Sequence, residues 1–286
     1  MPENAPEQSA APETSPRPEA RPQRAPQGQQ GGGATPDVKP FTAADAADPA
    51  ALAQALDVIR AQHEDDPYFK NDRQAFERIE KSQKTQQALA GASEQTGVAE
   101  RDLWVMAALE SAGKPDARNG SYRGLMQMGQ SAAEEVDMPW KDVATDVNAN
   151  ALAGAKYWQH HEGRMEDAGI ESNVLNQYLA HQQGFGGMRK LLRTVATDPD
   201  KRATRAQLAN LPPEFIQSLG KSRSQVTQQD FLKFWEDRVK SAEAAFDMHQ
   251  GQQTLQDDLM AIGGAGAHQA PIKAGGRPGV EDDETV

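Results

Sequence analysis

Between Leu52 and Phe246 the apolar residues recur three and four positions apart, and no convincing strand-like alternation runs for more than four residues. A chain patterned this way buries its hydrophobic groups by laying helices against one another, so an all-α fold is expected. Leu52, Ala55, Leu56 and Ile59 share one face in a segment free of Gly and Pro, while Phe76 and Ile79 begin a weaker face that runs into the polar EKSQKTQQ. A helix over about 99–111 is followed by Gly113 and then Pro115, the usual order past a helix end. Ser131 with Glu134 predicts a capping box for a short helix to about 138. Asp146 is expected to cap a longer helix through Tyr157 and Trp158, and Ser172 one that carries Val174, Leu175, Tyr178 and Leu179. Pro213 fits the first position of a helix ended by Gly220. Thr227 with Asp230 opens a last helix whose Phe231, Phe234, Trp235, Ala242 and Phe246 recur at helical spacing.

With 37% hydrophobic residues among 286, the core is thin if the whole chain has to share it. Residues 1–40 are Pro, Ala, Gln, Glu and Gly, ending QGQQGGGATP. They hold too little apolar surface to offset their conformational entropy and are expected as a disordered leader. Residues 262–286 repeat that composition, end acidic and are expected as a disordered tail. One domain, at about 45–250, is expected between them. The leader reads as a flexible linker or, alternatively, as a docking or packaging signal.

The net charge of −12, with no run of Lys and Arg, argues against nucleic-acid binding, which draws on phosphate neutralisation. The longest apolar stretch, Trp104 to Leu109, falls far short of the roughly 18 residues that cross a bilayer, so a soluble protein without membrane insertion is expected. MPENAPEQSAAPETSPRPEARPQRAP has neither a basic start before an apolar run nor a small-residue cleavage site, so no Sec signal is expected. A substrate outside the cytoplasm would then be reached by cell lysis, a dedicated secretion machine or a phage particle. With no cysteine, disulfides, thiolate catalysis and Cys-based zinc sites drop out. The six histidines form no HExxH pattern, and His160 and His161, as helix neighbours, do not face one site, so neither metal nor cofactor is expected.

The chemistry concentrates in RDLWVMAALESAGKPDARNGSYRGLMQM, where Leu103, Met106, Ala107 and Glu110 fall on one helical face. A carboxylate on an apolar stripe is costly unless paired or neutral, so a raised pKa is expected for Glu110. A carboxyl still protonated near neutral pH is what protonates a leaving glycosidic oxygen. The bland alternative is an idle Glu exposed on the last turn. Gly113 and Pro115 tip the balance, because they stop the helix just past Glu110 and leave its carboxyl over a loop. The polar KPDARNGSY then brings Arg123, Gly124, Leu125, Met126 and Gln127 back over the same place.

The run ALESAGKPDARNGSYRGLMQM resembles the signature of the soluble lytic transglycosylase family, related in fold to goose-type lysozyme: a helix ending Glu-Ser, a loop, then Gly-Leu-Met-Gln. Asn150, Gly154 and Tyr157 match that family's Asn, Gly and Tyr on the following helix, and YLAHQQGFGG stands where the family has Ala-Tyr-Asn-Ala-Gly. The resemblance covers about residues 93–190 and fades toward 240. It implies a lysozyme-like helical domain acting on bacterial peptidoglycan, with Glu110 at the catalytic position. There Glu110 is first general acid to the oxygen joining N-acetylmuramic acid to N-acetylglucosamine. It is then base to the muramoyl 6-hydroxyl, which closes a 1,6-anhydro ring. Ordinary glycosidases need a second carboxylate, whereas this sugar supplies its own nucleophile. Asp116, Glu134 and Glu135 are the nearest second carboxylates in sequence and read more simply as solvated acids.

The same resemblance puts Ser111 and Gln127 at positions that bind substrate or orient the acid, Met126 in the cleft wall, and Tyr178 in the cleft floor or the core. His181 and Gln182 replace the family's Tyr-Asn and are followed by Gln183, which implies an altered substrate-binding subsite of a kind associated with phage transglycosylases. Three readings stay open: a lytic transglycosylase, a hydrolytic muramidase on the same fold, and a structural virion protein that has lost turnover. A phage virion or a secretion apparatus would supply delivery and further protein partners.

Overall fold

The computed structural model describes residues 48–265, with side chains through 257. Asp48 opens α1 (Pro49–Gln62), its carboxylate accepting the Ala50 N–H at 2.9 Å, and Asp66 opens α2 (Pro67–Glu80) in the same way through Tyr68 at 2.8 Å. Both helices place proline in the first turn, where a missing N–H costs nothing. Ser82 caps α3 (Gln83–Thr96), which the periodicity did not announce: its buried face is Thr85, Ala88, Leu89 and Ala92, too small and too mixed to stand out. Those small side chains let α7 (Val147–Asp167) lie close against it.

α4 (Glu100–Ser111) is buried nearly all round. Leu103 and Met106 lie on the expected face, but Trp104, Val105, Ala107 and Ala108 are buried too, because α2, α3, α8 (Val174–Thr197) and α11 (Gln228–Ala265) enclose the helix. α11 is 38 residues long and backs α1, α2, α4 and α8. It opens with a reciprocal pair, the Asp230 carboxylate accepting the Thr227 N–H at 2.8 Å and the Thr227 hydroxyl accepting the Asp230 N–H at 3.2 Å. Phe76 and Phe246 meet edge to face at 5.4 Å with Trp104 beside them, tying α2, α4 and α11 together. Arg238 on α11 grips buried Asp72 on α2 with both guanidinium nitrogens.

Two expected caps are corrected. α5 (Gln130–Glu135) starts from Gly129 with no side-chain cap, so the Ser131–Glu134 box does not form; Glu134 accepts a bond from Gln130 instead, at 2.8 Å. α8 starts from Asn173, not Ser172: the Asn173 side chain accepts the Asn176 N–H, and the Ser172 hydroxyl accepts from Gln177 at 2.8 Å. Asp146 caps α7 as expected, and α6 (Trp140–Thr145) precedes it. α9 (Arg205–Ala209) carries a capping box, and α10 (Pro213–Ser218) begins at the predicted proline. The only sheet among the described residues pairs β1 (Arg118–Asn119) with β2 (Tyr122–Arg123), so the fold is all-α as expected. No helix among the described residues is long and apolar enough to cross a membrane. The leader expected over 1–40 lies outside the described residues, as does the tail from 266 on; residues 262–265 are helical.

Candidate active site

Two left-handed residues end α4, Ala112 (φ 51°) and Gly113 (φ 70°). At Gly113 the chain runs so close to α2 that a Cβ would stand 2.7 Å from the Ala75 carbonyl oxygen, which explains the glycine. The buried Ser111 hydroxyl donates to the Ala107 carbonyl at 3.0 Å and accepts the Lys114 N–H at 3.1 Å, fastening the exit. Glu110 is therefore delivered on the last turn of a helix that the core fixes on every side. Its side chain is only 1% exposed, and its Oε1 lies 3.5 Å from Nε2 of His181, itself 9% exposed.

The returning loop is anchored as firmly. Leu125, Met126, Gln127 and Met128 are all buried. Gln127 takes φ 43° and turns its amide inward, Nε2 donating to the carbonyls of Gly124 at 2.8 Å and Ala117 at 3.2 Å. Asn150 on α7 holds the loop from below. Its Oδ1 accepts the Met126 N–H at 2.8 Å, and its Nδ2 donates to the carbonyls of Arg123 and Val143, both at 2.9 Å. Gly124 (φ 78°) sits directly on that amide, where a Cβ would collide with it. GLMQ and the Asn-x-x-x-Gly of α7 are thus two halves of one joint.

Beside His181 lies a small recess of about 10 Å³, the room of about one water molecule, walled by Met106, Met126, Tyr157, His161, Gln177 and His181 itself. His181 links the recess to the acid. Gly184 (φ 70°, ψ 154°) breaks α8 one residue past Gln183, so His181 ends a helical segment, as Glu110 does. His161 is 2% exposed with no hydrogen-bond partner on either ring nitrogen, and burial pushes its imidazole down to about 4. Burial, then the neighbouring Glu135, pushes the Tyr157 hydroxyl up to about 12.

Of the residues expected here, Met126 and His181 wall the recess, and Glu110 stands 3.5 Å from His181. Ser111 and Gln127 are committed to the helix exit and the loop. Tyr178 is buried against Trp235 of α11, ring centres 4.8 Å apart, so it is placed with the core. Gln182 and Gln183 are half-buried and bonded to each other at 3.3 Å. Among the other carboxylates, Asp116 is exposed, and Glu135 meets His160 at 2.9 Å and Arg164 at 3.5 Å. Sequence reasoning passed over His161; its signal was there, since Gly154, Tyr157, Trp158 and His161 follow helical spacing on one face. No group of three His, Asp or Glu suited to a metal ion occurs among the described residues.

Residues 87–203 match the family model of the transglycosylase SLT domain. No curated protein matches the chain.

Proposed function

Because residues 87–203 form a domain of the transglycosylase SLT family, a lysozyme-like fold that acts on peptidoglycan, we propose that this protein cleaves wall glycan with Glu110 as its acid and base. The observation that carries the reading is the withdrawal of the Glu110 side chain, 1% exposed, to the end of a rigid helix against His181. A carboxyl held out of water keeps its proton more readily and loses it to a substrate oxygen instead of to solvent. In the first step Glu110 hands its proton to the oxygen between N-acetylmuramic acid and N-acetylglucosamine, the C1–O bond breaks, and its electron pair leaves with that oxygen. In the second, the Glu110 carboxylate takes the proton of the muramoyl 6-hydroxyl while that oxygen bonds C1 and closes the anhydro ring. Glu110 ends protonated, ready for another cycle. No second carboxylate enters, because the muramoyl 6-hydroxyl is the nucleophile.

Purified sacculi digested with the full chain test this reading, with the products weighed by mass spectrometry. Anhydromuramoyl ends are expected. Reducing ends would make the protein a muramidase that adds water in place of the 6-hydroxyl. Walls bound but left intact would make it a structural piece. Glu110→Gln removes the proton without changing volume and should slow cleavage by at least ~10³-fold; equal rates would refute the assignment. We place its action at the bacterial wall, reached inside a phage particle or through a secretion apparatus; its presence or absence in purified virions tests the first route.

A further inference from the structure

Among the described residues, His161 alone has both ring nitrogens buried without a hydrogen-bond partner. A neutral imidazole carries one N–H donor and one bare nitrogen that accepts. Leaving such groups unanswered in the interior is costly, and buried polar atoms in folded proteins are met by another protein group or by an ordered water. The side chains packed on the ring do not meet them. Tyr157 crosses it at 63° with ring centres 4.3 Å apart, and its hydroxyl bonds Glu135. Phe185 lies nearly parallel at 6.1 Å and has nothing to offer but its face. His160, 5.5 Å away, is engaged with Glu135.

The recess that His161 borders is the place where a partner can stand. Its volume of about 10 Å³ is that of one water molecule. Across from α7, α8 contributes Gln177, which is 1% exposed. Nε2 of Gln177 donates to the Ser172 hydroxyl at 2.8 Å, and Oε1 of the same amide is an acceptor. We propose that the recess is a hydration site, in which one ordered water bridges the His161 imidazole on α7 to the Gln177 amide on α8. The water donates one hydrogen to Oε1 of Gln177. It meets the ring nitrogen that borders the recess either by accepting from its N–H or by donating to its lone pair.

Size and charge select water over other occupants. The space admits no sugar ring, phosphate or carboxylate. Neither a carboxylate nor a Lys or Arg lines it, so an ion of either sign would stand there without a counter-charge. Burial holds the imidazole down at about 4, so near neutral pH the ring calls for a dipole and not for an anion. Leu103, Met106 and Met126 alone would leave such a space dry; polar groups on two facing helices make it a place for water. Gln177 stands one helical turn before His181 on the same face of α8. The bridge therefore fastens to α7 the turn that carries His181 to within 3.5 Å of Glu110. The site stands whether or not the protein cleaves glycan.

The test uses the full-length protein without glycan, in a high-resolution crystal structure and in NMR measurements of cross-relaxation between water and the His161 ring protons. The crystal should show one water within hydrogen-bond distance of a His161 ring nitrogen and of Oε1 of Gln177, and the ring protons should show a cross-peak to a long-lived water. His161→Phe and Gln177→Met each remove one partner at similar volume, and each should lose the water. The cross-peak is followed at the His161 ring in Gln177→Met, and the crystal is read in both variants, with backbone amide spectra to show that they fold. A native recess that is dry in either measurement overturns the proposal. So does a water retained at full occupancy in either folded variant. Should one variant fail to fold, the native protein and the other variant still decide.

Discussion

Gly154 lies under Met126, so close that a Cβ on the glycine would stand 2.6 Å from the Met126 Cγ. The contact fixes how far the GLMQ loop sinks onto α7, and with it the wall of the recess beside His181. Gly154→Ala should displace Met126 and cost about 1–3 kcal/mol as an overpacked site. Gly124→Ala adds a left-handed backbone, φ 78°, to its collision with Asn150 and should cost more, by roughly 1 kcal/mol. Denaturant midpoints of the two variants against the native chain check both the size and the order.

Asn150 supports the same joint by hydrogen bonding instead of by space. Its amide answers one N–H and two carbonyls, and it is 1% exposed, so water does not replace it. Asn150→Ala should cost about 2–4 kcal/mol, the scale of several buried groups left unpaired. Asn150→Asp keeps the acceptor for Met126 N–H but turns an anion toward the Arg123 and Val143 carbonyls, so it should destabilise at least as much as alanine. A nearly neutral Asn150→Asp in chemical denaturation would contradict this account of the joint.

The fold was legible wherever a helix carries a wide apolar face between polar ends. Leu52, Leu56 and Ile59 are buried together, and Phe231, Phe234, Trp235 and Phe246 line α11 as their spacing requires. α3 escaped because alanines and a threonine do its packing, and α4 was half-read because a central helix has no polar face to contrast with its apolar one. Caps were readable by residue type but not by register: Ser172 and Asn173 are both competent, and the chain uses Asn173. At the site, the structure sets Glu110 beside His181, and His181 with Met126 in the recess wall. Motif spacing gave no way to tell that Gln127 and Ser111 spend their polar atoms on the backbone, or that Tyr178 faces α11, because those depend on rotamers and on a helix some fifty residues further along the chain.

The Asp72–Arg238 pair fastens α2 to α11 behind the active helix, with Asp72 2% exposed. Removing one partner strands the other's charge in the interior, so Asp72→Ala should cost about 3–5 kcal/mol. Replacing both by apolar side chains of similar volume removes the stranded charge along with the attraction and should recover most of that loss. A thermal-melting cycle over the two single variants and the double one measures the coupling; additive losses would mean that the two side chains act independently.

His161 should make stability sensitive to mild acid. Burial takes its imidazole from the ordinary value of 6.5 down to about 4 in the fold, so between those two values the unfolded chain holds more proton than the folded one. Stability is therefore at its full value above about pH 6.5, declines as the pH falls, and has lost this whole contribution once the pH passes below about 4. The shift corresponds to a loss on the order of 3 kcal/mol. His161→Phe keeps a flat ring between Tyr157 and Phe185, which lie 4.3 and 6.1 Å from the His161 ring centre, and has no proton to take up. Its unfolding free energy, measured in urea from pH 7 to pH 4, should fall less steeply than that of the native chain by about that amount. Parallel curves would show that the buried ring gains a compensating partner when it is protonated.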